Sequence, residues 1–271
     1  MRPKATVSFY LFALFLFLPG CSFSLDGLRQ YRAERAIERH DFAFALNILQ
    51  KIMQSEPDST RALVAAKLGA KVAHLDAKNY ALAVEFYKHI VLRAKDAEER
   101  KAAQKNIAQI HFENLMDYDQ AVLEYEKLLK LELRPEDAFR YRLNLAKSQL
   151  HMNNIDQAVS ELDILLAQNH SPDEMFEAKI FKGNTLIAAR RLPEAASVWQ
   201  SILKDFPEKS QKENVALNLV VCYEEMKEFG RAIDVLEGMR PGYAHPDFLD
   251  LKIQRLKKRL GDQPGAQGLR R

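Results

Sequence analysis

The side chains of this sequence that could do chemistry are scattered. Seven histidines (His40, His74, His89, His111, His151, His170 and His245) stand apart, and none has a second ligand at metal spacing on its own helix. Two cysteines occur, Cys21 and Cys222. Cys222 follows Val220 and Val221 and precedes Tyr223, the setting of a buried thiol acting as a small hydrophobe. An activated thiolate would need an exposed, electropositive site instead. There is no H-E-x-x-H, G-x-S-x-G, Walker loop, G-x-G-x-x-G or calcium loop. Glu98-Glu99 and Glu224-Glu225 read as solvated helix ends. These observations point to a non-enzyme with no catalytic residue, no metal site, no cofactor and no small-molecule substrate. What does converge is a polar stripe: Arg140, Asn144, Lys147 and His151 stand at offsets 0, 4, 7 and 11. At 100° per residue of helix they fall within about a 60° arc. Two cations there suit acidic or carbonyl groups. An amide both donates and accepts, so Asn144 can read a peptide backbone without demanding a sequence.

The element that must carry such a stripe is clearest between Asn214 and Pro241. Leu219, Val220 and Tyr223 share one helical face, Glu224 to Glu228 make a turn, and Phe229, Ala232, Ile233 and Leu236 form a matching face. Small Ala232 marks the place where the two helices cross most closely. Pro241 closes the unit, because it cannot donate the next helical hydrogen bond. The same unit recurs upstream. Phe42 precedes Ala45 by three positions, as Tyr80 precedes Ala83, Tyr118 precedes Ala121, Ile155 precedes Ala158 and Leu192 precedes Ala195. The intervals are 83−45=38, 121−83=38, 158−121=37, 195−158=37 and 232−195=37. Such regularity marks a helical solenoid. Stops agree with it: Glu56-Pro57-Asp58-Ser59 offers an N-cap at Ser59, and Ser171-Pro172-Asp173-Glu174 spells a capping box with proline at the first helical position.

The pattern resembles the tetratricopeptide repeat family. Gly183, Leu186, Ala195 and Pro207 stand at its positions in one repeat, and Ala108, Phe112, Ala121 and Tyr125 in another. The period exceeds the family's ~34 residues. The usual tryptophan of the first helix is absent, with Arg29, Lys67, Lys105, Arg142 and Lys179 near its place, and Leu68-Gly69 lies two residues too far from Ala83. The resemblance covers Gly27 to Pro241. It implies an all-α, right-handed α-solenoid of about six helix pairs, closed by a capping helix within residues 242–260 and followed by a disordered tail, 261–271. It also implies that the first helix of each pair lines a concave groove. The stripe then continues one repeat on through Glu177, Phe181, Asn184 and Ala188, and two repeats on through Asn214, Asn218, Val221 and Glu225. One repeat back it holds Ala103, Ile107, Ile110 and Asn114. The expected groove for a protein or peptide partner is therefore Arg140, Asn144, Lys147, His151, Asn184 and Asn218, with Phe181 and Ile110 taking an apolar side chain. The carboxylate clamp of chaperone-binding members is not reproduced, since Ile180 stands where its lysine belongs.

Ahead of the repeats, Arg2 and Lys4 precede an uncharged run, Val7 to Leu18. Twelve helical residues rise about 18 Å, short of the ~30 Å hydrocarbon core. This fits a signal segment, residues 1–20, and not a membrane span. Leu18-Pro19-Gly20-Cys21 resembles the lipobox of bacterial lipoproteins, which implies lipidation of Cys21, a leader at 21–26 and, with Ser22 following, an outer-membrane anchor on the periplasmic side. An ordinary cleaved signal with an incidental cysteine is the alternative. The repeats and lipobox together resemble envelope lipoproteins of the BamD type and periplasmic relatives of the CpoB type. Net charge is 40−37=+3, and 38−37=+1 without Arg2 and Lys4, so nucleic acid is not an expected partner. Leu249, Ile253, Leu256 and Leu260 would seat the last helix, leaving Lys252, Arg255, Lys257, Lys258 and Arg259 outside. The expected function is a membrane-anchored scaffold in envelope assembly, secretion or pilus biogenesis. The alternative is a regulator or targeting factor for peptidoglycan turnover or division enzymes.

Overall fold

A computed structural model describes residues 25–241 and 243–263, with side chains from residue 27. The apolar run, Cys21 and its leader up to residue 24, and the tail after 263 lie outside the described residues. Among those described, every regular element is helical. In chain order they are α1 (Leu25–Glu38), α2 (Phe42–Ser55), α3 (Thr60–Lys71), α4 (Tyr80–Arg93), α5 (Ala97–Gln109), α6 (Tyr118–Leu129), α7 (Pro135–His151), α8 (Ile155–Leu166), α9 (Pro172–Ala188), α10 (Leu192–Asp205), α11 (Pro207–Lys212), α12 (Ala216–Glu225), α13 (Phe229–Met239) and α14 (Pro246–Gly261). Six A–B pairs follow one another, with α2, α4, α6, α8, α10 and α13 as the B helices and α14 as the cap. The chain divides into two compact units, up to Ala103 and from Gln104.

Each B helix begins at the large apolar residue that the spacing singled out: Phe42, Tyr80, Tyr118, Ile155, Leu192 and Phe229. Ala45, Ala83, Ala121, Ala158, Ala195 and Ala232 are all fully buried. A small residue at a helix crossing lets two backbones approach to the ~8–10 Å that ridge-in-groove packing needs. Two glycines show how tight the crossings are. A Cβ built on Gly69 would stand 2.5 Å from the ring of Phe86, and one on Gly183 would stand 2.6 Å from the indole of Trp199. The only tryptophan therefore sits on a B helix, flat against a glycine of the A helix. Two of the cations near the usual tryptophan place reach across to B-helix acids: Arg142 binds Glu161 at 2.5 Å, and Lys179 binds Asp205 at 2.5 Å, whereas Lys67 pairs with Glu99 of the next A helix.

The 38-residue intervals have a structural cause. α3 continues as a π-helical turn at Val72–Asp76, and α5 as another at Ile110–Asn114. The amides of Ala77 and Leu115 bond the carbonyls five residues back, Val72 and Ile110, at 2.8 and 2.9 Å. A π turn takes in one extra residue, and the two occur only in the two 38-residue steps. The extra residue accounts for one of the two positions by which Leu68-Gly69 is displaced.

Every A–B turn is made by a residue in the left-handed region: His40, Lys78, Met116, Asn153, Arg190 and Lys227, with φ between 51° and 62°. The amide just after it returns to the A helix. Asn154, Arg191 and Glu228 bond Gln149, Leu186 and Tyr223, five residues back, at 2.8–2.9 Å. In the two π-turn repeats Asn79 and Asp117 reach six residues back, to Ala73 and His111. This is the 6→1 bond of a Schellman motif, stretched by one in the π repeats.

Caps fall where the sequence put them. Ser59 accepts the amide of Ala62 at 3.0 Å, and Ser171 with Glu174 forms the capping box. The Ser171 hydroxyl and amide hold the Glu174 carboxyl below its usual range. Three details differ from expectation. The sixth A helix starts earlier, as α11, and breaks at Asn214, whose φ is 54°. The capping helix opens at Pro246. Leu260 lies at its exposed edge, while Leu249, Ile253 and Leu256 are buried.

Alanine substitutions at Gly183 and Gly238 separate packing from helix propensity. Nothing lies within 4 Å of a Cβ at Gly238, so Gly238→Ala should stabilise by up to about 1 kcal/mol. At Gly183 the buried indole cannot retreat, and Gly183→Ala should cost ~1–3 kcal/mol. Urea midpoints moving in opposite directions support the crossing; a shared sign overturns it.

Candidate partner-binding groove

The second unit carries the polar stripe. α7 is set by Pro135 at its first turn, α9 by its capping box, and α12 by the break at Asn214. Arg140 and Lys147 lie two turns apart on α7 and converge on one carboxylate of α9. Arg140 Nη1 is 3.5 Å and Lys147 Nζ 3.9 Å from Glu177 Oε1. Lys147 Nζ also stands 5.8 Å from the centre of the Phe181 ring, within cation–π range. Phe181 is half-buried, its inner edge packed on the cluster of Phe139, Leu143, Ala146, Leu162, Leu165 and Ala178. Asn184, on the same helix as Phe181, is exposed, and one A helix further, on α12, Asn218 is half-buried and Val221 40% exposed. Arg190 repeats the pattern, meeting Glu225 at 2.7 Å.

Other members of the expected groove are placed differently. Ile110 is fully buried in the π turn, and Ile107 is buried in α5, so neither offers a surface to a partner's side chain. The expectation for Ile110 is corrected: helical spacing reports a face but not how closely the neighbouring helix covers it. Asn144 is also buried, and its Nδ2 donates to the Tyr125 hydroxyl at 3.1 Å. That amide is used inside the protein and does not face a backbone outside it. The Tyr125 phenol is pushed well up by burial. His151 is exposed but stacks on Tyr118 at 4.3 Å and 6°, with Phe112 edge-on at 6.1 Å. The stripe thus splits. Arg140 and Lys147 turn toward α9, while Asn144 and His151 join aromatic side chains of the preceding repeat.

Glu177 is the residue the sequence reading undervalued. It stands 37 positions after Arg140, at the same place of the next repeat, and that offset was the signal for it. Its pairs are long, at 3.5 and 3.9 Å, and partly open to solvent, so they are screened and worth little to stability.

The rest of the described residues offer no competing chemistry. No group of three or more His, Cys, Asp or Glu among them could hold a metal. Burial pushes the Cys222 thiol up, as suits an inert core cysteine. No helix among them is long and apolar enough to cross a membrane. A cavity of about 710 Å³ lies between α11 and the end of α13, lined by Leu203, Val235 and Met239 with Lys212, Asp234 and His245 at its polar side. Its mixed charges select no partner.

The chain is similar to one in the structure of Naa15/Naa10 bound to HypK-THB, with a TM-score of 0.56 and 13% identity, covering 87% of this chain and 39% of that one. This chain thus spans about two fifths of that protein's length. It is also similar to YrrB, described as a TPR protein with an unusual peptide-binding site (TM-score 0.48, 16% identity, 76% of this chain and 97% of that one). PilF of Pseudomonas aeruginosa gives a TM-score of 0.44 at 16% identity, covering 84% and 97%. No protein-family model and no curated protein matches the sequence. The fold is a tetratricopeptide-type α-solenoid.

Two asparagines test the division of the stripe. Asn144→Ala leaves the buried Tyr125 hydroxyl without its partner and should cost ~1–3 kcal/mol. Asn184→Ala, at an exposed site, should stay within about 0.5 kcal/mol. Equal effects on thermal unfolding would show that Asn144 is not a core residue.

Proposed function

We propose that the chain is a non-catalytic scaffold that holds an extended, acidic segment of a protein partner along α7, α9 and α12. The observation that carries this reading is the convergence of Arg140 and Lys147 on Glu177 Oε1. The protein's own carboxylate occupies the place that a partner's carboxylate would take. Guanidinium and ammonium groups are preorganised there, and an incoming acid has only to displace or share one half-buried side chain. Beside that pair, the outer edge of Phe181 and the methyls of Val221 offer apolar surface, and the amides of Asn184 and Asn218 can pair with a backbone. Exposed apolar area next to convergent polar groups is what a peptide groove requires. The likeness to a chain of the Naa15/Naa10 complex supports use of this fold to hold a second polypeptide.

The setting we propose is the bacterial envelope, with the chain tethered through lipid on Cys21 to the periplasmic side of the outer membrane and acting in envelope assembly, secretion or pilus biogenesis. The charged start, the short apolar run and Leu18-Pro19-Gly20-Cys21 support it. Two or three acyl chains, each methylene worth ~0.8 kcal/mol when buried, make such an anchor lasting.

A photo-crosslinking residue in place of Asn184 should capture a partner from detergent-solubilised envelopes. Capture should weaken as salt is raised, because Arg140 is exposed and Lys147 partly so. Arg140→Ala with Lys147→Ala should abolish it while changing stability by no more than about 0.5 kcal/mol per substitution. Undiminished capture by that double variant would take the site away from this face. Separately, Cys21→Ser should leave an unprocessed or soluble protein. An intact mass without acyl chains for the parent would end the anchoring proposal without touching the groove.

A further inference from the structure

The capping helix α14 leaves one face without a neighbour. Phe248 and Leu251 are about half exposed, at 49% and 50%, and Asp247, Arg255 and Lys258 are exposed with them. At 100° per residue these five fall within about a 100° arc. That arc is opposite the buried Leu249, Ile253 and Leu256 which seat the helix on α13. Tyr243 lies against Phe248, its ring 6.4 Å away and 29° inclined, so the phenyl ring is oriented before anything docks.

The charges on either flank are already spent. Lys252 pairs with Glu224 at 2.5 Å, Lys257 with Glu237 at 3.1 Å, and Asp250 with Arg240. Arg259 lies 3.6 Å from Glu224 and 4.3 Å over the Phe229 ring. Asp247, Arg255 and Lys258 have no ion-pair partner among the described residues. The unpartnered face is therefore sorted along its length: acid and apolar groups in the first turns, cations in the last.

We propose that this face binds a second copy of the same chain, α14 against α14, antiparallel about a twofold axis opposite Ile253. The pattern is self-complementary about that point, since 248+258=506, 251+255=506 and 2×253=506. One axis thus sets Phe248 level with Lys258 of the second copy and Leu251 level with the stem of its Arg255. It also brings Asp247 within reach of Lys258 of the second copy. Asp247 and Lys258 lie on the same side of the face and pair by charge across the axis, and antiparallel helices oppose their dipoles favourably. The two Leu251 side chains sit on either side of the axis and form its dry centre. A twofold contact closes on itself and gives dimers, not filaments. A lipid surface fits less well: a helix lying in a membrane interface needs apolar residues along its whole length, whereas here they occupy only the first turns, beside Asp247.

The contact is small. A 16-residue helix is about 24 Å long, and one helix pair buries less than the ~800 Å² per partner of a standard interface. Dimerisation should therefore be weak and concentration-dependent. Sedimentation equilibrium of the purified chain, from micromolar to sub-millimolar, should show a monomer–dimer equilibrium that weakens with salt. Leu251→Asp should weaken it at least about tenfold, with an unchanged far-UV circular dichroism spectrum because Leu251 is exposed. Asp247→Lys and Lys258→Asp should each weaken the dimer by repulsion, and the two together should restore it. A parent that stays monomeric throughout overturns the proposal. So does a dimer indifferent to Leu251→Asp, or a charge swap that fails to restore it. If phosphatidylglycerol vesicles float the parent but not Leu251→Asp, and no dimer forms in solution, the face belongs to a lipid surface and the proposal falls.

Discussion

The structure depends on the close approach of the A and B helices in each pair. Six alanines hold zero or nearly zero exposure at that crossing, and at Gly69 and Gly183 even a methyl group would enter an aromatic ring. This fixes more than packing. A short helix pair cannot bury its apolar faces alone, so stability comes from stacking one pair on the next. Stacking in turn needs each pair to present the same faces at the same angle. An A–B crossing kept close in every repeat makes this possible, and an alanine every 37 or 38 residues is its chemical record.

The turns obey the same constraint from the other side. A chain that must reverse in three residues between A and B uses one residue at positive φ, which costs an L-residue ~1–2 kcal/mol. Glycine would relieve that cost, yet His40, Lys78, Met116, Asn153, Arg190 and Lys227 fill the six places. Asparagine and histidine are the types among them that enter the conformation most readily. The backbone bond that follows, five or six residues back, over-determines the turn and holds the strained residue in place. Because none of the six is glycine, sequence cues for helix ends pointed to turns without revealing their form.

Much of the fold was legible because its signal is steric. Small residues at fixed spacing, aromatic or aliphatic starts to the B helices, and the caps at Ser59 and Ser171 each state a local requirement that only a few residue types meet. The π turns were half legible. The extra residue shows in the intervals, but nothing in VAHLD or IHFEN says that it is absorbed within the A helix and not in a loop. The A-helix tryptophan expected by resemblance was replaced by two separate solutions, cations reaching B-helix acids and a B-helix indole against Gly183. Sequence alone gives the missing residue and not its substitute.

The groove was less legible, and Asn144 shows why. Periodicity places Arg140, Asn144, Lys147 and His151 on one arc, but an arc of 60° spans both the edge that meets the preceding repeat and the edge that meets solvent. Depth across that arc is set by the neighbouring helices, and here Tyr125 and Tyr118 of the preceding repeat claim Asn144 and His151. Ile110 fails for the same reason in stronger form, since an isoleucine on a helix face is more easily covered than left for a partner. What remains outward is chosen by charge: Arg140, Lys147 and Glu177 cannot be buried without loss of hydration. From α7 to α12 the outward side chains therefore form a ladder that pairs across repeats. Such a ladder contributes little to stability and is open to exchange, so a partner bearing the right charge competes with a single half-buried glutamate and leaves the core untouched.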